Sequence, residues 1–96
     1  MKKMKKMELI IESIYLNKLL DLFKERDITG YTVIKDIEGS GGHGIKMADQ
    51  FSDIQSNNYI FTVCDNTKFE EIKEEIRAFT KRYGGKCIVS DALMLL

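Results

Sequence analysis

The chain has no proline, a single histidine and only two cysteines in 96 residues, and neither sign of charge is in excess. Each shortage excludes something. With no proline, the punctuation of the chain falls to glycine. A structural zinc site takes four ligands in short paired spacings, which Cys64 and Cys87 cannot supply. They are expected as buried, free thiols. No serine or cysteine has a partner at a recognisable triad spacing, so nucleophilic catalysis has no local signal. Fifteen Lys+Arg balance fifteen Asp+Glu, giving a formal net charge of zero. That removes the broad cationic field with which proteins hold nucleic acid, and no nucleic-acid partner is expected. No apolar run approaches the roughly 18 to 20 residues that cross a bilayer. The opening Met1-Lys2-Lys3-Met4-Lys5-Lys6-Met7 resembles the basic start of a secretory signal. However, Glu8 and Glu12 break the apolar stretch that would have to follow, and no small-residue cleavage site appears. A cytoplasmic protein is expected, with residues 1–6 a frayed basic tail and residues 7–96 one domain around one core.

Hydrophobic periodicity gives the order of elements. From Met7 to Ile14, Met7, Leu9 and Ile11 alternate with Glu8, Ile10 and Glu12, which predicts a strand with one face more buried than the other. Leu16, Leu19, Leu20 and Phe23 recur at helical spacing, with Lys18, Asp21, Lys24, Glu25 and Arg26 opposite, predicting a helix over 15–26. Tyr31, Val33 and Ile37 predict a second strand, and Tyr59 to Cys64 a third. Thr67 and Glu70 fit a capping box opening a helix through Phe69, Ile72, Ile76, Phe79 and Tyr83 to Gly84. Its Glu70, Glu71, Glu74 and Glu75, set among Lys73, Arg77, Lys81 and Arg82, read as a solvated charged face. Residues 86–90 are expected as a short fourth strand, followed by the apolar tail Ala92 to Leu96. The order βαββαβ predicts a ferredoxin-like α+β fold: a four-stranded antiparallel sheet in the order four, one, three, two, with both helices on one face. Cys64 and Cys87 then lie two strand spacings apart, about 9 to 10 Å, too far for a disulfide. The second face of the sheet also carries apolar side chains, which predicts a homo-oligomer.

The seven glycines fall at Gly30, in the run Gly39 to Gly44, and at Gly84-Gly85. Gly39-Ser40-Gly41-Gly42-His43-Gly44 matches G-x-G-x-x-G in letters but lacks the strand, helix and parallel strand that give the pattern its dinucleotide meaning. A P-loop is excluded as well, since Gly44 is followed by Ile45-Lys46. What survives is more general: clustered glycines let successive amides converge on an anion, or simply form a flexible tip. Residues 39–53 are a long loop, and such loops in small domains are mostly functional or disordered. Gly84-Gly85-Lys86 reads either as a helix C-cap or as amides plus an ammonium for a phosphate. The two glycine sites make one pocket only if a partner subunit brings them together.

Thr29-Gly30-Tyr31-Thr32-Val33 entering a strand, the glycine-rich loop, Ser52-Asp53-Ile54 and Tyr83-Gly84-Gly85 together resemble the PII-like signalling proteins. The likeness is greatest to the group associated with bicarbonate transporters and carboxysomes, and it spans residues 6–95. The resemblance implies a non-enzymatic homotrimer whose intersubunit clefts bind an adenine nucleotide (AMP, ADP, ATP or cyclic AMP) and bicarbonate. Residues 39–53 would be the T-loop, read by a membrane transporter that holds the protein peripherally at the membrane. By position, Gly30, Tyr31, Thr32 and Val33 would line the base side of the cleft. Gly41, Gly42, His43, Gly44 and Lys46 would lie on the phosphate side, and Gly84, Gly85 and Lys86 on the neighbour's opposing wall. Where the group commonly has loop-base arginines, this chain has His43 and Lys46, which alters phosphate recognition because a bidentate guanidinium is lost. The cysteine-bearing C-terminal extension of some members and the modifiable loop tyrosine of the nitrogen-regulatory pattern are absent from the sequence. Two other classes fit less of it: a small ferredoxin-like phosphoanhydride hydrolase, and a trimeric metal or anion binder using His43 and Asp49.

Overall fold

Met7, Leu9 and Ile11 lie on one face of β1 (Lys2–Glu12), each at most 1% exposed. The computed structural model describes residues 1–38 and 56–96. Within them β1 is followed by a 3-10 turn (Ser13–Tyr15), α1 (Leu16–Glu25), β2 (Tyr31–Ile37), β3 (Asn57–Cys64), α2 (Asn66–Tyr83) and β4 (Lys86–Met94). The strands form an antiparallel sheet in the order β2-β3-β1-β4. This is the expected order read from the other edge. Leu16, Leu19 and Phe23 of α1 join Ile72, Ile76 and Phe79 of α2 in one core with Met7, Leu9, Ile11 and Ile60. Both helices therefore cover the same face, and the fold is ferredoxin-like α+β. Phe23 is fully buried, so Phe23→Ala would cost about 3–5 kcal/mol through lost transfer energy and the cavity it leaves.

Local chemistry sets the element ends. α1 stops where Asp27 turns left-handed at φ 58°, and Ile28 N–H then donates to the Phe23 carbonyl at 2.8 Å while its side chain enters the core. That is a Schellman closure with its hydrophobic contact. α2 opens on Asp65, whose Oδ1 accepts from Lys68 N–H at 2.8 Å. The expected Thr67 capping box is therefore corrected: Thr67 lies inside the first turn, and Asp65 is a stronger cap because its carboxylate also faces the positive end of the helix. Glu70 instead pairs with Lys73, and Glu74 with Arg77, along the exposed face of α2. Glu75 does more than solvate that face, since it takes two hydrogen bonds from Arg26 at the end of α1, at 2.5 and 2.9 Å.

Two further expectations are corrected at the chain's ends. Residues 2–6 are strand rather than a frayed tail, because Lys2 to Lys6 pair with Met94 to Ser90. β4 accordingly runs on to Met94 instead of stopping at Ser90. The lysines are tolerated at a sheet position because Lys5 Nζ meets Asp91 Oδ1 directly opposite, at 2.5 Å. The first strand in turn ends at Glu12, two residues early, where Ser13 begins the 3-10 turn.

Among the described residues no helix lies over the other face of the sheet. Ile10, Tyr59, Phe61, Val63, Ile34 and Ile88 lie there by register, with Ile34 49% and Ile88 54% exposed. Polar groups are woven through it: Tyr59 Oη donates to Glu8 at 2.6 Å, and Lys6 Nζ sits 5.0 Å over the Phe61 ring. The Glu8 bond, more than burial, raises the Tyr59 pKa above its ordinary value.

Candidate functional site

The residues expected to form the cleft occupy opposite edges of the sheet. Gly30 leads into β2, where its carbonyl accepts from the Thr62 hydroxyl at 2.5 Å. Tyr31 follows, 39% exposed, with its ring edge-on to Phe23 at 5.6 Å. Thr32 is exposed and Val33 half-buried. Across three strand spacings, about 14 Å, Gly84 and Gly85 make the turn from α2 into β4 with φ 83° and 93°. Gly84 N–H closes the helix on the Thr80 carbonyl at 2.8 Å.

Gly85 is fixed twice over. Its positive φ disfavours any side chain, and a Cβ there would run into the Ile10 carbonyl and come within 3.0 Å of Ile11 Cγ2. Lys86 then begins β4 with its side chain exposed. Beneath the turn, Tyr83 stacks against Tyr15 and Phe79, each at 4.8 Å between ring centres, with Lys18 and Arg82 over its ring. The aromatic packing anchors the end of α2 from which the turn starts.

Register shows which ends of the edges correspond. Ile34, Tyr59, Ile10 and Lys86 form one row across the sheet. The α2–β4 turn thus stands at the end of the sheet toward which β2 runs before residues 39–55. One chain brings together Gly30 to Val33, and separately Gly84 to Lys86, but not the two groups. Gly41, Gly42, His43, Gly44 and Lys46, with Asp49 of the metal reading, lie outside the described residues.

The described residues offer little to other chemistries. Burial, then Glu8, pushes the Cys87 thiol up to about 11. Cys64 is raised as well, chiefly by burial. Neither is a thiolate at neutral pH. The two are free, and β1 separates them, as Cys64 stands opposite Lys5 and Cys87 opposite Leu9. Among the described residues no group of three His, Cys, Asp or Glu side chains could hold a metal ion, and no helix is long and apolar enough to cross a membrane. A cleft of about 180 Å³ between α2 and β4, floored by Met7, Ile76, Cys87 and Val89, contains none of the expected residues.

Sequence reasoning missed a polar cluster where β2 leaves the sheet. Asn58, 2% exposed, faces the core among apolar neighbours and bonds to Ser13 and Asp36, and Ser13 bonds to Ser56. The one signal for it was the pair Asn57-Asn58 opening an otherwise apolar strand.

Comparison with known proteins agrees with this architecture. CPII from Thiomonas intermedia K12, a nitrogen regulatory PII-like protein solved with ADP, AMP and bicarbonate, superposes with a TM-score of 0.80 at 21% identity, over 99% of this chain and 96% of that one. Its apo form gives 0.73 at 20% identity, over 95% and 90%. A PII-like signalling protein from Thermus thermophilus gives 0.71 at 20% identity, over 97% and 90%. None of the curated proteins matches. The family described as nitrogen regulatory protein P-II matches residues 4–94. With nearly the whole chain so matched, this protein belongs to the P-II family.

Proposed function

We propose that the protein is a PII-like signalling protein, regulatory rather than enzymatic. It assembles as a homotrimer and binds an adenine nucleotide together with bicarbonate in three intersubunit clefts. The observation that carries this reading is the division of the candidate site between the two free edges of one sheet. Setting the β2 edge of one subunit beside the β4 edge of the next brings both groups to one subunit boundary without any change of fold. The helix-free face, with Ile88 and Ile34 about half exposed, supplies the apolar surface such an assembly would bury. The ligands named for CPII, namely ADP, AMP and bicarbonate, support the same class here.

In this arrangement the Gly85 amide and the Lys86 ammonium face the phosphates as charge-assisted donors, while the Gly84 amide stays on the Thr80 carbonyl. Tyr31 to Val33 form the base side, and Gly41, Gly42, His43, Gly44 and Lys46 approach from the T-loop, residues 39–53. The ligand acts by selecting among loop states, and it shifts them only by its difference in affinity between those states. A cytoplasmic trimer can then report on nucleotide and bicarbonate to an inorganic-carbon transporter, sitting peripherally at the membrane through that partner. Sedimentation equilibrium and calorimetry with AMP, ADP, ATP and cyclic AMP, with and without bicarbonate, test the reading. A trimer binding one nucleotide per subunit is expected. A monomer, or no heat with any of the four, would overturn it.

A further inference from the structure

The pairing of β2 with β3 shifts by one residue: Ile34 pairs with Tyr59 and Ile37 with Asn57, so Lys35 and Asp36 both stand opposite Asn58. This is a β-bulge, and within it Asp36 takes the left-handed conformation, φ 58°. A bulge leaves one backbone amide without its ladder partner. Here the side chain of the residue opposite supplies that partner, as Asp36 N–H donates to Asn58 Oδ1 at 3.2 Å. The same oxygen accepts from Ser13 Oγ at 3.2 Å. With the Ser13 proton so used, the 2.6 Å contact between the Ser13 and Ser56 hydroxyls is a bond donated by Ser56. Ser13 N–H also donates to the Ser56 carbonyl at 2.8 Å. One buried amide and one hydroxyl therefore tie together the end of β2, the residue before β3, and the junction of β1 with α1.

The bulge has a directional consequence. Without the extra residue Asp36 would stand opposite Asn57 in the place of Ile37, and each side chain from there to Glu38 would point to the other face. We propose that Asn58 is a positioning residue for the candidate cleft: by pinning the bulge it fixes where, and with which face, the chain leaves β2 and re-enters before β3. Its consequence for ligand rests on the function proposed above. The bulge itself does not.

The test uses the intact protein and two readouts, hydrogen exchange at the Asp36 amide and ADP affinity by calorimetry. Asn58→Leu keeps the buried volume but removes the acceptor. It should speed exchange at Asp36 by about tenfold, the value of one such bond, and weaken ADP by a similar factor. Ile60→Val loosens the same strand without touching the bulge and should move neither readout. Should Asn58→Leu fail to fold, Ser13→Ala removes one of the oxygen's two partners and should speed the same amide by a smaller factor. Unchanged exchange at Asp36 in both variants, or an equal response to Ile60→Val, would overturn the assignment of the bulge. Faster exchange with undiminished ADP affinity would overturn the positioning role. If the wild-type protein binds no ADP, the proposed function fails instead, and the exchange comparison alone decides what Asn58 does.

Discussion

The two edges that carry the candidate site are built by opposite rules. At the β4 edge the chain's own packing demands glycine, since Gly85 combines φ 93° with a backbone carbonyl where a Cβ would go. At the β2 edge none of the described residues lies within 4 Å of the position a Cβ would take on Gly30, and its φ is not left-handed. A glycine that the fold requires says little about ligand. A glycine with open space beside it is where close approach by another molecule has room to be the reason. The wall formed by Gly84 to Lys86 is thus best probed at Lys86, and the base side at Gly30 itself.

The largest effect is expected at Gly85. Gly85→Ala should destabilise the protein by about 3 kcal/mol, from left-handed strain plus overpacking against Ile10. At fixed protein concentration that lowers the melting temperature by roughly 15 °C. A melting temperature within a degree or two of wild type would show that the turn relaxes and that the two edges do not differ in this way. Next comes Ile88→Asp, which puts a charge on the helix-free face. Sedimentation should show monomers with an unchanged far-ultraviolet spectrum, and a persistent trimer would move the subunit contact elsewhere.

Lys86→Ala should weaken nucleotide binding by about tenfold, the value of a charge-assisted hydrogen bond, while leaving the melting temperature of the unliganded protein unchanged. Gly30→Ala should leave stability within about 0.5 kcal/mol of wild type or raise it slightly. A fall in nucleotide affinity without loss of stability would assign Gly30 to the ligand. Unaltered affinity would leave the base side to Tyr31 and Thr32.

The smallest expected effect is on pH dependence. Tyr59 has its pKa raised by the bond to Glu8, so the folded state holds its proton more tightly than the unfolded chain. The stability this contributes is fully present below the ordinary tyrosine value near 10 and is lost as pH rises through the higher folded value. Tyr59→Phe should flatten that alkaline slope in a urea titration, and an unchanged slope would place its origin elsewhere.

Much of this was legible in the sequence. The core positions Met7, Leu9, Ile11, Leu19, Phe23, Ile60, Ile72, Ile76 and Phe79 follow from periods of two and 3.6. With the order of elements, those periods lead to the sheet, whereas the two halves of the candidate site are implied by the placing of the glycines and by the resemblance to the PII-like proteins. The misreadings have two causes, one distant in sequence and one local. Lys2 to Lys6 look solvated and Ala92 to Met94 look like a tail, because the pairing that orders each lies far away in sequence. Asp65 caps α2 in place of Thr67 because Ser, Thr and Asp compete for the same amides, and only geometry decides among them. The bulge at Asp36 was hidden for a related reason: a left-handed aspartate has no signature until the opposite strand is known.

β1 pairs on both sides, and the ion pair Lys5–Asp91 bridges 86 positions of sequence. The strand at the centre of the sheet thus waits for nearly the whole chain to be made before its second neighbour exists. Contacts of such long range form slowly, since the loop must close before any pairing repays it. Until β4 arrives, Met7, Leu9 and Ile11 belong to an edge strand open to other chains. For a newly made molecule the hazard is therefore greatest at the strand that ends up best protected.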